Sequence, residues 1–390
     1  MGGVTKTKYY RPTKAVIDLG AIKKNLTTFQ KRSGDAEVIA VVKADAYGHG
    51  VLAVAKTAIE NGVNLLAVAT PDEAVFLRDH GIETELLVMG ATPSNFISVA
   101  QQRNITVTAV SLDWLSMAAK HLRAGLNALK IHLKVDTGMR RIGIQVDEVD
   151  EAFGFIAGHD FAFKGIFTHF ATADEQQSSL FSQQVKLMNT VIDKLDDSSI
   201  MVHVSNSAAA IMHPELACDA VRIGISLYGI APSPYVGEEM PIQLHPALSL
   251  ETEIIHVKKI RGGEGVSYGA TYRAEQDEWV ATLPIGYADG MLRGLQGQDV
   301  LVRGQRVPVV GRICMDQCMI RLSKELPVGE KVQLIGQQGG QRIFIDEWAR
   351  RLETIPYEVP CILTKRVPRV YSDSTEVSDL PFQEPDTMLR

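Results

Sequence analysis

Eight short apolar runs, each followed by a stretch of helical length, do most to limit the folds open to this 390-residue chain. They are EVIAVV (37–42), LLAVA (65–69), ELLVMG (85–90), TVTAV (106–110), KIHLKV (130–135), FKGIFTH (163–169), MVHVSN (201–206) and DAVRIG (219–224). Continuous apolar runs rich in β-branched side chains and bounded by turn residues read as strands buried on both faces. Between them lie stretches such as GHGVLAVAKTAIEN, TPDEAVFLRDHG and DEQQSSLFSQQVKLMNTVIDKL, whose apolar residues recur at helical spacing. Eight such units in succession predict an α/β fold, a (β/α)8 barrel of the TIM type within residues 12–241. A doubly wound open sheet is the alternative, and the count favours the barrel.

The texture changes after YGIAPSPYVGEEMP (228–241). Short alternating runs separated by turn signals follow, among them VATLPIGYADG, DVLVRGQRVPVVGRICM and GEKVQLIG, with little helical spacing before DEWARRL. A second, mostly β domain is therefore expected over residues 242–390. The strand-like KAVIDL (14–19) precedes the first barrel strand and is expected to pair with that second domain.

Composition removes several classes of partner. Apolar residues make up 45% of the chain, enough for more than one core, and the formal charge of −6 carries no basic block or aromatic-interleaved basic patch. Nucleic acid is not expected as a partner. No apolar run approaches the roughly 18 residues of a membrane span. MGGVTKTKYY has neither a hydrophobic signal core nor a myristoylation pattern, so no membrane association is expected and the cytoplasm is the expected location. The cysteines at 218, 314, 318 and 361 form no C-x-x-C pair and read as reduced thiols, with no metal expected.

A barrel of this kind gathers its chemistry at the carboxyl ends of its strands. Lys43 follows the first strand, Lys134 ends the fifth and His169 follows the sixth; Asn206 and Ser207 follow the seventh, and Arg222, Gly224 and Ile225 belong to the eighth. Singly, each has an ordinary reading: a snorkelling lysine, a satisfied histidine, a helix-capping serine, an ion-paired arginine. Together they converge on one mouth. The loops after strands seven and eight commonly hold a phosphate, and SNSAAA and RIGIS offer a hydroxyl with close backbone N–H groups there. A lysine facing that phosphate from an apolar support suits covalent attachment of pyridoxal 5′-phosphate.

The motifs VVKADAYGHG (41–50), LKVDTGMRRIG (133–143), GIFTHFATAD (165–174), HVSNSAA (203–209), VRIGISLYGI (221–230), VSYGATYRA (266–274), LPIGYADG (283–290), GRICMDQ (311–317) and YEVPC (357–361) carry a resemblance along essentially the whole chain. The chain resembles the bacterial alanine racemases, pyridoxal-phosphate enzymes of fold type III built as a barrel followed by a β domain. The resemblance implies a head-to-tail homodimer with shared active sites, and D-alanine made for peptidoglycan of the cell wall.

By the same resemblance, Lys43 holds the cofactor and works on one face of the substrate α-carbon, while Tyr268 from the other subunit works on the opposite face. Tyrosine has an unperturbed pKa near ~10 and needs help as a base, which the family arrangement supplies through His169 and Arg222. Tyr47, Ser207, Gly224, Ile225 and Tyr357 match phosphate-contacting positions, and Asn206 and His203 match supporting ones. Arg222 matches an arginine facing the pyridine nitrogen. Because a guanidinium only donates, it leaves that nitrogen unprotonated, a setting that favours racemisation over transamination or decarboxylation. Arg141 and the Met315 N–H match the substrate-carboxylate site, with Asp316 from the other subunit beside them, and Tyr287, Tyr357 and Met315 read as a narrow entrance suited to alanine. Lys134 matches a position that is carbamylated in many members. Two positions depart from the family pattern: Asp45, where asparagine is commoner, and Arg140, where glycine is frequent. A cofactor-carrying barrel would not need Tyr268 and CMDQ, and a decarboxylase of similar architecture would place a carboxylate at 222. An amino-acid racemase of broader specificity, acting for example on serine, is the remaining alternative.

Overall fold

A computed structural model describes residues 9–373 and 376–378; the rest of the chain, including parts of 1–19 and 242–390, lies outside the described residues. The described chain forms two compact units, one made of residues 22–245 and the other of the segment ending at Ala21 with the segment that begins at Pro246.

The first strand, β1 (Lys14–Asp18), lies in the second of these units. It runs antiparallel to Leu248–Glu253 and parallel to Arg369–Asp373. β1 fills the place between those two strands, so residues 12–21 belong to the β unit, and the barrel unit begins at residue 22 and not at residue 12. Val16 and Asp18, half-buried, alternate with the buried Ala15 and Ile17, the period of a strand with one face on a core.

In the unit 22–245, the eight parallel strands are β2 (Glu37–Val41), β3 (Leu65–Val68), β4 (Glu85–Val88), β5 (Thr106–Ala109), β6 (Leu129–Lys134), β7 (Phe161–Phe167), β8 (Met201–His203) and β9 (Ala220–Ile223). They pair in the order β8-β7-β6-β5-β4-β3-β2-β9. The ring closes between β8 and β9 through single bonds: Asp219 N–H to Val202 O (3.0 Å), Arg222 N–H to Ser205 O (3.0 Å), and Val202 N–H to the Asp219 carboxylate (2.7 Å). Leu66, Leu86, Leu87 and Val88 are fully buried, each such side chain stabilising the fold by roughly 1.5–3 kcal/mol. Helices follow where the amphipathic stretches lie. Pro71–Asp79 has a Thr70/Glu73 capping box, and Ser179–Ile192 is capped by Ser178.

The second unit is mostly antiparallel sheet with the short helices Ile345–Arg351 and Glu358–Ile362. One core cluster gathers Ile260, Val266, Ala274, Val280 and Val310 beneath the segment that carries Tyr268.

Candidate active site

Lys43 opens a turn that its sequence does not announce. Ala44, Asp45, Ala46 and Tyr47 all have φ of 52–53° and ψ of 40–52°, a turn of left-handed helix built without glycine. Left-handed helix costs about 1–2 kcal/mol per L-residue, so the surroundings must impose it. Glu73 accepts the Ala44 N–H at 2.6 Å, and the Asp45 carboxylate accepts the Val51 N–H at 2.8 Å. His49 Nδ1 lies 3.0 Å from Ala46 O and 2.9 Å from Tyr47 O, while its ring stands 4.5 Å from that of Tyr228. Tyr228 in turn donates to Val41 O at the end of β2 (2.9 Å). Asp45 fits here for a physical reason: short polar side chains tolerate positive φ, and its oxygen does what an asparagine carbonyl would do.

The turn brings the Tyr47 hydroxyl against the loop after β9. A Cβ at Gly224 would sit 2.6 Å from it, so only glycine fits there. The Gly224 N–H donates to Ser207 Oγ at 3.0 Å, tying the loops after β8 and β9 together. Ser207 opens the 207–212 helix, where Asn206 accepts the Ala209 N–H (3.0 Å) and donates to Phe170 O (3.1 Å). Ile225, 1% exposed, opens the next single turn, Ile225–Tyr228. The first N–H groups of both turns precede any acceptor of their own. Hydroxyls of Tyr47 and Ser207 and these N–H groups make a cradle suited to a phosphate.

Arg222, on β9, is 3% exposed and held by several protein acceptors. Nη1 donates to His203 O and to His203 Nδ1 (3.0 Å). Nη2 donates to Thr168 O (2.8 Å) and Val204 O (3.1 Å) and lies 3.4 Å from His169 Nδ1. That leaves Nε–H as the one donor without an acceptor among the described residues. Burial lowers the Arg222 pKa to about 9, still charged at neutral pH. Burial first, and Arg222 second, push the imidazoles of His169 and His203 well below their usual range, so both are neutral.

Lys134 ends β6 with its Nζ buried and unpartnered among the described residues. Its ammonium stands 5.4 Å from the Phe167 ring centre. Burial, then the charges of Arg222 and Arg141, lower its pKa to about 7. Arg141 is exposed. Its neighbour Arg140 takes up a left-handed φ of 55°, donates its N–H to the Asp136 carboxylate (3.0 Å) and turns its guanidinium to Gln145 (3.2 Å). The departure from glycine at 140 thus leaves strain in the backbone and puts no added charge among those acting on Lys134.

The β unit carries the other predicted residues. Tyr268 is 72% exposed on a single turn after Ser267, whose φ is 64° and whose hydroxyl donates to Arg312 O (2.6 Å). Tyr287 and Ala288 donate their N–H groups to Cys314 O and Met315 O, both at 3.0 Å, so two loops are clasped together. A Cβ at Gly286 would lie 2.3 Å from both carbonyls. The Met315 N–H has no acceptor among the described residues. Asp316 is held by Arg366 (2.8 Å), which also pairs with the fully buried Asp289 (3.3 Å), itself bonded to Arg11 and the Gly286 N–H. Tyr357 is half-buried just before the 358–362 helix. The barrel unit thus brings together Lys43, Tyr47, Lys134, His169, Asn206, Ser207, Arg222, Gly224 and Ile225. Tyr268, Tyr287, Met315, Asp316 and Tyr357 belong to the other unit.

Supporting residues escaped sequence reasoning. Glu73, Asp289 and Arg366 are ordinary surface types, and only Glu73 leaves a signal, as the last residue of the T-x-x-E capping box.

Comparison with known proteins agrees with this arrangement. Residues 17–232 match the alanine racemase N-terminal domain and residues 247–371 the alanine racemase C-terminal domain. Alanine racemase 1 of Bacillus subtilis (strain 168) is 46% identical over 375 residues, 95% of this chain and 96% of that protein. The crystal structure of alanine racemase from E. faecalis superposes with a TM-score of 0.90 at 42% identity, over 93% of this chain and 99% of that one. A histidine racemase from Leuconostoc mesenteroides subsp. sake shares the fold at 32% identity and a TM-score of 0.88, over 95% of this chain and 100% of that one. Two domain matches spanning most of the sequence, with relatives aligned nearly end to end, establish that this chain belongs to the alanine racemase family of pyridoxal 5′-phosphate-dependent racemases.

Proposed function

We propose that this protein interconverts L-alanine and D-alanine in the cytoplasm, as a homodimer whose active sites each combine the barrel of one subunit with the β unit of the other, and so supplies D-alanine for peptidoglycan. The observation that carries the reading is the fixed Arg222: four of its N–H bonds point at protein acceptors and one donor remains. That donor suits an unprotonated ring nitrogen, and a group that only donates suits a racemase better than a carboxylate would.

The residues present fit pyridoxal 5′-phosphate. Tyr47, Ser207, Gly224, Ile225 and Tyr357 would hold its phosphate, Arg222 its ring nitrogen and Lys43 its aldehyde carbon, with Asn206 and His203 in support. Bound there, it supplies an electron sink that acidifies the substrate α-carbon hydrogen. Lys43 Nζ takes or returns that proton on one face. Tyr268 of the partner subunit does the same on the other with its phenol oxygen, helped by His169, which stays neutral and able to accept a proton. Two groups on opposite faces are required, because one base confined to one face returns the proton to the side it left. Arg141 and the Met315 N–H hold the substrate carboxylate, Asp316 stands beside them and Tyr287 narrows the entrance.

Lys134 is carbamylated in this reading: its neutral amine adds to carbon dioxide, losing one proton, and becomes an anion between Arg141 and Arg222. A buried, unpartnered Nζ whose pKa lies at about 7 supports that chemistry. A broader amino-acid racemase is not favoured: the curated relatives at 44–48% identity are alanine racemases, while the histidine racemase stands at 32%.

The test is L-alanine with pyridoxal phosphate in D₂O, following optical activity and α-deuterium together. Loss of optical activity with deuteration, absent in Lys43→Ala, is expected; no exchange despite bound cofactor would refute the alanine assignment.

A further inference from the structure

We propose that His132, buried on β6, is a positioning residue for Arg222: it ends a one-way hydrogen-bond chain, Arg222 to His203 to His132, that holds the guanidinium so that only its Nε–H is left for a ligand. This rests on the reading of Arg222 given above and deepens it.

The direction of the chain follows from donor chemistry. A guanidinium has donors and no acceptor, so His203 Nδ1, 3.0 Å from Arg222 Nη1, must present its lone pair. The neutral His203 ring then carries its proton on Nε2. That nitrogen lies 2.8 Å from His132 Nδ1, which must accept, leaving the His132 proton on its own Nε2. The opposite tautomer of His203 would set N–H against N–H at Arg222. Protonation offers no escape: burial and then Arg222 hold His132 at about 3 and His203 well below the usual range. One arrangement of protons satisfies both contacts: Arg222 sets its direction, and His132 completes it by accepting.

The fold makes room for this contact specifically. In the β6/β7 register Lys134 lies beside Phe167 and His132 beside Gly165; in the β7/β8 register Phe167 lies beside His203. His203 thus sits one row above His132 and must reach across β7 to meet it. An irregularity in the β6/β7 pairing between Ile131 and His132 places Gly165, not Lys164, opposite His132. The missing side chain at Gly165 is the space the imidazole uses: a Cβ there would lie 2.6 Å from His132 Nδ1 and Cε1, and 2.9 Å from Met201 O. From the row above, Phe167 stacks on His203 with ring centres 4.8 Å apart and planes 10° apart, and its ring centre is 5.4 Å from the Arg222 guanidinium carbon. His203 is held by its face and by both nitrogens, leaving no freedom to rotate away.

Neutron diffraction from deuterium-exchanged crystals of the holoenzyme reads the protons directly. Deuterium on Nε2 of both His203 and His132 is expected; deuterium on His203 Nδ1 overturns the proposal. Two variants read the consequence in alanine turnover. His132→Leu removes the acceptor and should lower kcat about tenfold or more with KM within about threefold, whereas His132→Asn, whose Oδ1 stands where Nδ1 stood, should recover kcat to within about threefold. Gly165→Ala, which alters neither imidazole, should behave as His132→Leu. A folded His132→Leu enzyme with wild-type kcat also overturns the proposal. If His132→Leu does not fold, the neutron map of the wild type still decides. Expected tautomers in an enzyme that turns over no alanine would leave the chain standing and refute the functional reading instead.

Discussion

The barrel unit and the β unit hold their shares of the candidate site in opposite ways. In the barrel two charged groups are buried, Arg222 at 3% and Lys134 at 2% exposure, and strands fix them. In the β unit Tyr268 at 72% and Met315 at 53% exposure stand on loops that clasp one another. A buried charge must be partnered or neutralised, so the barrel half shifts its pKa values and locks its geometry. An exposed tyrosine acquires no such environment until something covers it. In our reading a second copy of the chain does, and the contrast is that of a preorganised half-site with a half-site completed on assembly.

The largest expected effect tests the buried half. Arg222→Lys should reduce kcat by about 10³-fold and lower stability by about 3–5 kcal/mol, since several buried carbonyls lose their donor; equal stability by urea unfolding would break the contrast. Tyr268→Phe should reduce kcat by about 10²–10³-fold and leave the unfolding midpoint unchanged, because the hydroxyl serves chemistry and not packing. A large loss of stability there would show that the exposed half is structural after all.

Acid titration separates the halves again. His132, His169 and His203 all have lowered pKa values in the fold, so below pH 6.5 the unfolded chain takes up protons that the folded chain refuses. Their penalty is absent above pH 6.5 and grows as the pH falls, steepening toward at most about 4 kcal/mol per pH unit. Lys134, at about 7 as a free amine, adds a separate gain in stability as the pH rises from about 7 to 10.5. Flat urea midpoints between pH 6.5 and 4.5 would contradict the neutral assignments. Arg366→Ala should raise KM for alanine about three- to tenfold with less effect on kcat, by releasing Asp316 from its ion pair with Arg366. Arg140→Gly is the mildest change: it relieves a positive φ, alters stability by under about 1 kcal/mol and shifts KM less than about threefold.

The eight barrel strands were legible because each is a short run dominated by apolar residues and followed by a stretch of helical length, and the residues ending them could be placed on one mouth by counting. The left-handed turn at 44–47 was not. Ala-Asp-Ala-Tyr has no local preference for positive φ, and that conformation is held by the neighbouring His49 and by Glu73 and Tyr228 from two other parts of the chain. The contact of His203 with His132 was equally hidden, since it depends on a local irregularity in strand pairing and on the absence of one methyl group at Gly165. Lys43 could be found from its neighbours in sequence. What holds Arg222 could be found only from its neighbours in space.

Subunit complementation tests the proposed sharing of sites most directly. Lys43→Ala and Tyr268→Ala proteins, each inactive alone, are mixed under conditions that exchange subunits and assayed for alanine racemisation. In a twofold dimer with shared sites, random exchange leaves one intact site in each heterodimer, so activity should return to about a quarter of the wild-type value. Heterodimers that form and stay inactive would show that Lys43 and Tyr268 act within the same chain, and the contrast between the two halves would lose its functional meaning.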